Sequence, residues 1–197
     1  TYVEPGREND SEKLTYYTPR FAGFQLGASY SPDNLQDDSF SPVDRNTGVS
    51  DMVTFGANYS GEFSGVSLGV SGGYGTFLES ASGTDEPESW SAGITVGVGG
   101  FGIGASYAAE DGATEGQAYN LGVSYETGPF GVSLSYFHGE VENSSEQDTY
   151  HLSGKYALGP GVTAAATLGY AEFQDEGSAG SDEIEATYVV TGIRLSF

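Results

Sequence analysis

Cysteine is absent from the 197 residues, methionine and tryptophan occur once each, and lysine and arginine together number only six. Without cysteine there are no disulfides and no thiolate metal sites, which fits a compartment where accidental disulfides are avoided and equally fits many cytosolic chains. Six basic residues against 28 acidic ones give a formal charge of −22. That balance excludes nucleic acid as a partner, because phosphates demand Lys and Arg. It also disfavours adsorption to an anionic leaflet unless divalent cations bridge the two. No apolar run approaches the roughly 20 residues that a membrane-spanning helix needs. A helical membrane protein is thereby excluded, but a β-barrel is not, since alternation dilutes its apolar residues two-fold. There is no basic segment followed by an apolar one at the start, Thr1-Tyr2-Val3-Glu4. An export signal is therefore expected to have been removed, or this N-terminus is not the natural one.

What the chain does have is 31 glycines, about double the usual share of ~7%, with 14 tyrosines and 11 phenylalanines. The pattern predicts an all-β chain. Residues 1–11 read as polar loop. Strands are expected near 12–18, 22–31, 51–60, 64–77, 89–98, 100–109, 116–126, 130–140, 147–158, 161–173 and 182–197. Short connections fall at Arg20-Phe21-Ala22, Gly61-Glu62-Phe63, Gly99-Gly100, Thr127-Gly128-Pro129 and Gly159-Pro160, where Gly and Pro supply tight-turn backbone angles. They alternate with long connections at 32–50, 78–88, 110–115, 141–146 and 174–181. In an up-and-down meander all short turns then lie at one end and all long loops at the other. Acidic residues follow the long end: Asp33, Asp37, Asp38, Asp44, Glu79, Asp85, Glu86, Glu88, Glu110, Asp111, Glu140, Glu142, Glu146, Asp175, Glu176, Asp182 and Glu183. The short end has little beyond Arg20, Glu62 and Glu126.

Period-two alternation puts successive side chains on opposite faces of a strand. One face repeatedly ends in aromatic residues six positions apart: Phe24 and Tyr30, Phe101 and Tyr107, Tyr119 and Tyr125, Phe130 and Tyr136, Tyr150 and Tyr156. Phe197 closes the last strand, whose apolar face is Val189, Thr191, Ile193, Leu195 and Phe197. Rings at both ends of the face on these five strands suit the two headgroup levels of a bilayer and have no counterpart in a sandwich core. Six residues rise about 20 Å, or roughly 15 Å of depth after tilt, against an apolar band of ~25 Å, so the rings are expected to lean outward or the girdles to sit inside the band's edges. The opposite face carries Gln25, Gly27, Ser29; Ser67, Gly69, Ser71; Gly102, Gly104, Ser106; Asn120, Gly122, Ser124; Gly131, Ser133, Ser135. Such side chains cannot pack a core but can line water. The expected architecture is a transmembrane antiparallel up-and-down β-barrel with lipid outside and a wide lumen inside. With that parity Lys13, His151, Lys155 and Arg194 point into the lumen.

The segment Tyr16-Tyr17-Thr18-Pro19-Arg20-Phe21-Ala22-Gly23-Phe24 resembles the Y-x-S/T-P-x-F-x-G-F hairpin of general Gram-negative porins, especially alphaproteobacterial ones. The terminal strand ending in Phe197 is similar to the signal by which the outer-membrane barrel-assembly machinery recognises its substrates. The resemblance implies a 16-stranded homotrimeric barrel in the bacterial outer membrane, in contact with the bilayer and lipopolysaccharide, of which about 11 strands are present here. About five N-terminal strands are then expected to precede this segment, with residues 1–11 ending the inward-folded third loop and 12–197 forming the C-terminal strands of one barrel domain. In that family, basic wall residues face an acidic loop across the constriction. Lys13, His151, Lys155 and Arg194 become the wall candidates, and Glu4, Arg7 and Glu8 the loop candidates. The expected function is passive diffusion of small hydrophilic solutes and ions, favouring cations.

No catalytic site is expected, since no nucleophile elbow accompanies the Ser, His and acid residues. No helix follows Gly97 to Gly104 to make a phosphate loop. His138 and His151 lie on different strands and show no recognisable metal spacing. No cofactor is expected, with Ca²⁺ at Asp37-Asp38 or Asp175-Glu176 as the alternative to solvated loops. Two other readings stay open: a barrel adhesin or scaffold acting through its acidic loops, and a secreted Ca²⁺-binding lectin-like sandwich.

Overall fold

Alternating apolar and small polar residues, punctuated by Gly and Pro, produce β-strands throughout the computed structural model. It describes residues 11–33, 48–80, 86–112, 115–175 and 182–196. Glu4, Arg7, Glu8 and Phe197 lie outside the described residues, as do Asp37, Asp38, Asp44, Asp85 and Glu176. The strands are β1 (Leu14–Tyr17), β2 (Phe24–Ser31), β3 (Val49–Phe63), β4 (Val66–Ser80), β5 (Glu88–Val98), β6 (Phe101–Asp111), β7 (Gly116–Thr127), β8 (Phe130–Val141), β9 (Ser145–Gly159), β10 (Val162–Asp175) and β11 (Asp182–Leu195). Each pairs antiparallel with the next in one 11-stranded sheet, ordered β1 to β11 without a crossover. β1 and β11 do not pair with each other. All eleven expected strands are present, and the all-β up-and-down architecture is borne out.

The short turns are sharper than the sequence suggested. Ala22-Gly23, Ser64-Gly65 and Gly99-Gly100 all have positive φ, between 47° and 89°, the mirror-image geometry whose twist matches flanking strands. The turn expected at Gly61-Glu62-Phe63 therefore lies at Ser64-Gly65, because residues 61 to 63 stay paired with Leu68, Ser67 and Val66. At the other end the expected asymmetry of lengths is weaker. β8 and β9 pair as far as Val141↔Ser145, leaving only Glu142-Asn143-Ser144 as a turn, and only four residues separate Asp111 at the end of β6 from Gly116. Ladder hydrogen bonds need only backbone, so the strands continue past the point where apolar alternation stops.

Register assigns the faces. Leu134 stands between Val123 and Leu152, and Leu168 between Leu152 and Val189, so one face is continuously apolar. That face is open: Leu26, Phe101, Ile103, Leu134 and Ile193 are each more than half exposed. Among the described residues only Met52, Phe77 and Phe137 are buried hydrophobics. All three belong to the other face, at the long-loop end. A sheet that turns its aliphatic residues outward has its apolar medium outside itself.

Candidate pore wall

The face opposite the apolar one is concave. A hollow of ≈ 810 Å³ lies against Asn58, Ser67, Ser71, Thr95, Ser106, Asn120, Ser124, Ser133 and Ser135, with Gly69, Gly93, Gly97, Gly102, Gly104 and Gly122 between them. Neighbouring hydroxyls bond one another along this wall, Thr15 to Ser29 at 3.0 Å and Ser153 to Thr167 at 2.8 Å. Small hydroxyl and amide groups present donors and acceptors to water, and the intervening glycines keep the wall recessed.

Larger side chains on this face lie flat over glycines. Tyr188 of β11 spans Gly169 of β10 to reach β9, where its hydroxyl is 2.6 Å from His151 Nε2. The three residues are in register. A Cβ at Gly169 would collide with the Tyr188 ring, so glycine creates the groove in which the ring lies. Lys155 behaves alike: its stem covers Gly131 and its Nζ is 2.7 Å from Glu126 Oε1 two strands away.

The structure thus places His151, Lys155 and Arg194 on the concave face, His151 near mid-strand and the other two towards the short turns, where Arg194 stands opposite Thr163. Among the described residues Arg194 has no ion-pair partner. Lys13 immediately precedes β1 at the long-loop end, exposed, and does not join the other three. Sequence reasoning missed Arg20. Although it lies in a turn, its guanidinium donates to the Gly23 carbonyl at 2.6 Å, to Gln25 Oε1 at 3.1 Å and to Asn58 Oδ1 at 2.6 Å. Gln25 and Asn58 are paired residues of the concave face, so Arg20 belongs to this wall. Its signal was the polar Gln25 and Asn58 in a segment that is otherwise small or aromatic.

On the apolar face the aromatic residues form two belts. Towards the short turns Phe24 packs on Tyr59 at 4.7 Å, Phe101 on Tyr125 at 4.5 Å and Phe130 on Tyr156 at 4.7 Å. Towards the long loops run Trp90 on Tyr107 at 4.8 Å, Tyr119 on Tyr136 at 5.8 Å and Tyr136 on Tyr150 at 4.8 Å. The second belt carries a repeat that the sequence did not announce. Each even-numbered strand has a tyrosine aimed at a polar residue on the following strand, two positions beyond its register partner towards the acidic end. Tyr30 donates to Asp51, Tyr74 stands at the same offset from Glu88, and Tyr107 donates to Gln117 at 2.5 Å. Tyr136 donates to Asp148 at 2.5 Å and Tyr170 to Glu185 at 3.0 Å. This diagonal is within reach of long side chains. The hydroxyls of these tyrosines reach towards the acidic end, which widens the band between the belts on that side. Of the acidic residues expected at the long-loop end, Glu88, Glu140 and Glu146 sit on strand ends, on the outward parity beyond these tyrosines.

Comparison with known proteins agrees with the geometry. A family model described as Gram-negative porin matches residues 2–176. Among solved structures, the chain resembles an anion-selective porin from Comamonas acidovorans (TM-score 0.63, 17% identity, 93% of this chain and 57% of that one). It resembles OprB of Pseudomonas putida (0.68, 12%, 94% and 58%) and the outer-membrane channel DcaP of Acinetobacter baumannii (0.66, 11%, 94% and 62%). At these identities the likeness is one of fold. The chain spans about three-fifths of the length of these relatives. Among curated proteins no sequence matches it.

Proposed function

Since the chain belongs to the Gram-negative porin family, we propose that it forms most of the wall of a passive, water-filled channel for small hydrophilic solutes and ions, with a preference for cations. Its location is the bacterial outer membrane, and the family is one of channels rather than enzymes. The observation that carries the reading is the pairing of faces: a concave side whose side chains are Ser, Thr, Asn and Gly along the hollow, behind a surface of exposed aliphatic residues between aromatic belts. The first conducts water and the second seals to lipid.

Cation preference rests on charge. Within the wall Lys155 is offset by Glu126 and Arg20 is held by neutral acceptors, while the net charge of the chain is −22. A mouth so acidic concentrates cations. The transverse field of the constriction is assigned to Lys155, Arg194 and His151 on the wall, opposed by Glu4 and Glu8, with Arg7 beside them. The free edges of β1 and β11 are read as seams completed by further strands, since an open edge is not tolerated in lipid. A homotrimer, lipopolysaccharide around the outward face, and recognition of the terminal strand by the barrel-assembly machinery complete the proposal.

Planar-bilayer recording of the full-length porin tests it. Stable conductance steps and a cation-signed reversal potential in a KCl gradient are expected. Glu126→Gln, by uncovering Lys155, should lower the cation-to-anion permeability ratio, and Lys155→Gln should raise it. Absence of discrete steps, or an anion-signed reversal potential, would refute the reading.

A further inference from the structure

The β8–β9 hairpin brings together donors that are ten residues apart in sequence. His138 and Asp148 are register partners, and Glu140 and Glu146 are the next pair on the same face. His138 Nδ1 lies 3.2 Å from Asp148 Oδ1 and 3.7 Å from Glu146 Oε1, and one donor atom from each of the three residues falls within 4.8 Å of the others. A tetrahedral ion with bonds of about 2.0–2.2 Å holds its ligand atoms roughly 3.3–3.6 Å apart. The two distances from the imidazole nitrogen straddle that range without rearrangement of the strands.

The surroundings fix these donors in place. The His138 ring lies on Tyr119, centroids 4.9 Å apart and 29° from parallel, and only 13% of its side chain is exposed. Its other nitrogen, Nε2, faces Glu140 Oε2 at 3.6 Å. Glu140 accepts a hydrogen bond from Gln117, whose own amide oxygen accepts from Tyr107 at 2.5 Å. Tyr136 holds the Asp148 carboxylate. Metal-bound histidines are oriented in this way, with the second ring nitrogen turned to a carboxylate and the ligating carboxylate itself hydrogen-bonded.

We propose that His138, Asp148 and Glu146 form a site for a divalent transition-metal ion of the zinc class on the outward surface of the barrel, with Glu140 as a positioning residue and an open coordination position for water. Imidazole nitrogen beside carboxylate oxygens selects such ions over Ca²⁺ and Mg²⁺. The competing arrangement is a metal-free imidazolium held by three carboxylates, and it makes different predictions. The site is independent of the channel reading, because it lies on the opposite face from the hollow.

The test is isothermal titration of the folded, untagged full-length porin, stripped with chelator, using ZnCl₂ and separately CaCl₂. One saturable Zn²⁺ site per chain is expected, at least 100-fold weaker or lost in His138→Ala and unchanged in His151→Ala. Glu140→Gln should weaken binding about 10-fold while leaving one site. Co²⁺ in place of Zn²⁺ should give a visible absorption band that disappears in Asp148→Asn, a readout independent of stability. No saturable Zn²⁺ binding, binding that survives His138→Ala, or equal affinity for Ca²⁺ would each overturn the proposal.

Discussion

The assignment of faces can be tested by placing the same charge on two adjacent residues. Leu134 is on the apolar face, 53% exposed, flanked at its own height by Val123 and Leu152 and lying between the Phe130 and Tyr136 belts. Ser135, the next residue, lines the hollow beside Gly122 and His151. Arginine on the lipid face near mid-membrane costs about 2–4 kcal/mol, whereas a lumenal substitution next to glycine costs on the order of 0.5 kcal/mol or less. Leu134→Arg should therefore lower the folding equilibrium constant about 30- to 900-fold, and Ser135→Arg should leave it within a factor of roughly 3. Urea unfolding of the porin in lipid vesicles, followed by fluorescence and by loss of the heat-modifiable band, measures both. Equal costs would refute the division into lipid and water faces. A larger cost for Ser135→Arg would invert it.

Two further outcomes follow from individual contacts. Gly169→Val should push the Tyr188 ring off the wall and break its bond to His151, costing about 1–3 kcal/mol in the same unfolding assay; adding Tyr188→Ala should recover most of that loss, and an unaffected single variant would show that the groove is not needed. At the long-loop end, the Glu115 carboxyl is held above its usual range by its hydrogen bond to Glu142 and by the charges of Glu142 and Asp111. A raised carboxyl favours the folded contact fully below the ordinary glutamate range and loses that favour as pH rises through the shifted value. Protection of the Glu142 amide, which donates to the Glu115 carbonyl at 2.9 Å, should fall between acidic and neutral pH in wild type and stay constant in Glu115→Gln; hydrogen exchange corrected for intrinsic rate checks this, and a flat wild-type profile would count against it.

The strands were legible because alternation in a membrane wall is enforced on both faces: lipid selects Leu134 and Leu152 while water selects Ser133 and Ser135. Where only one constraint acts, the sequence said less. Strand ends beyond the aromatic belts, such as Val141, Ser145 and Glu146, are held by backbone ladders that leave no trace in hydropathy, so 141–146 read as a loop. Ser64-Gly65 was missed as a turn because Gly61 offered an equally permissive backbone three residues earlier. Of the wall charges, parity located Lys155, Arg194 and His151, but not Arg20, whose turn position has no parity. The partners of His138 required the register of a hairpin. Once Val141 is opposite Ser145, His138 necessarily meets Asp148, a fact that spacing within one strand could not reveal.

The diagonal from a tyrosine to a carboxylate, or at Gln117 to an amide oxygen, recurs in each of five consecutive hairpins, always from the strand that climbs to the one that descends. Among the described residues it never joins a descending strand to the next climbing one. Each hairpin therefore carries its own tyrosine contact, and the Gln117 amide, which donates to Glu140, ties the β6–β7 hairpin to the β8–β9 one. With one such contact in each hairpin, loss of a single tyrosine hydroxyl leaves those of the other hairpins in place, so the rim loosens locally rather than all round.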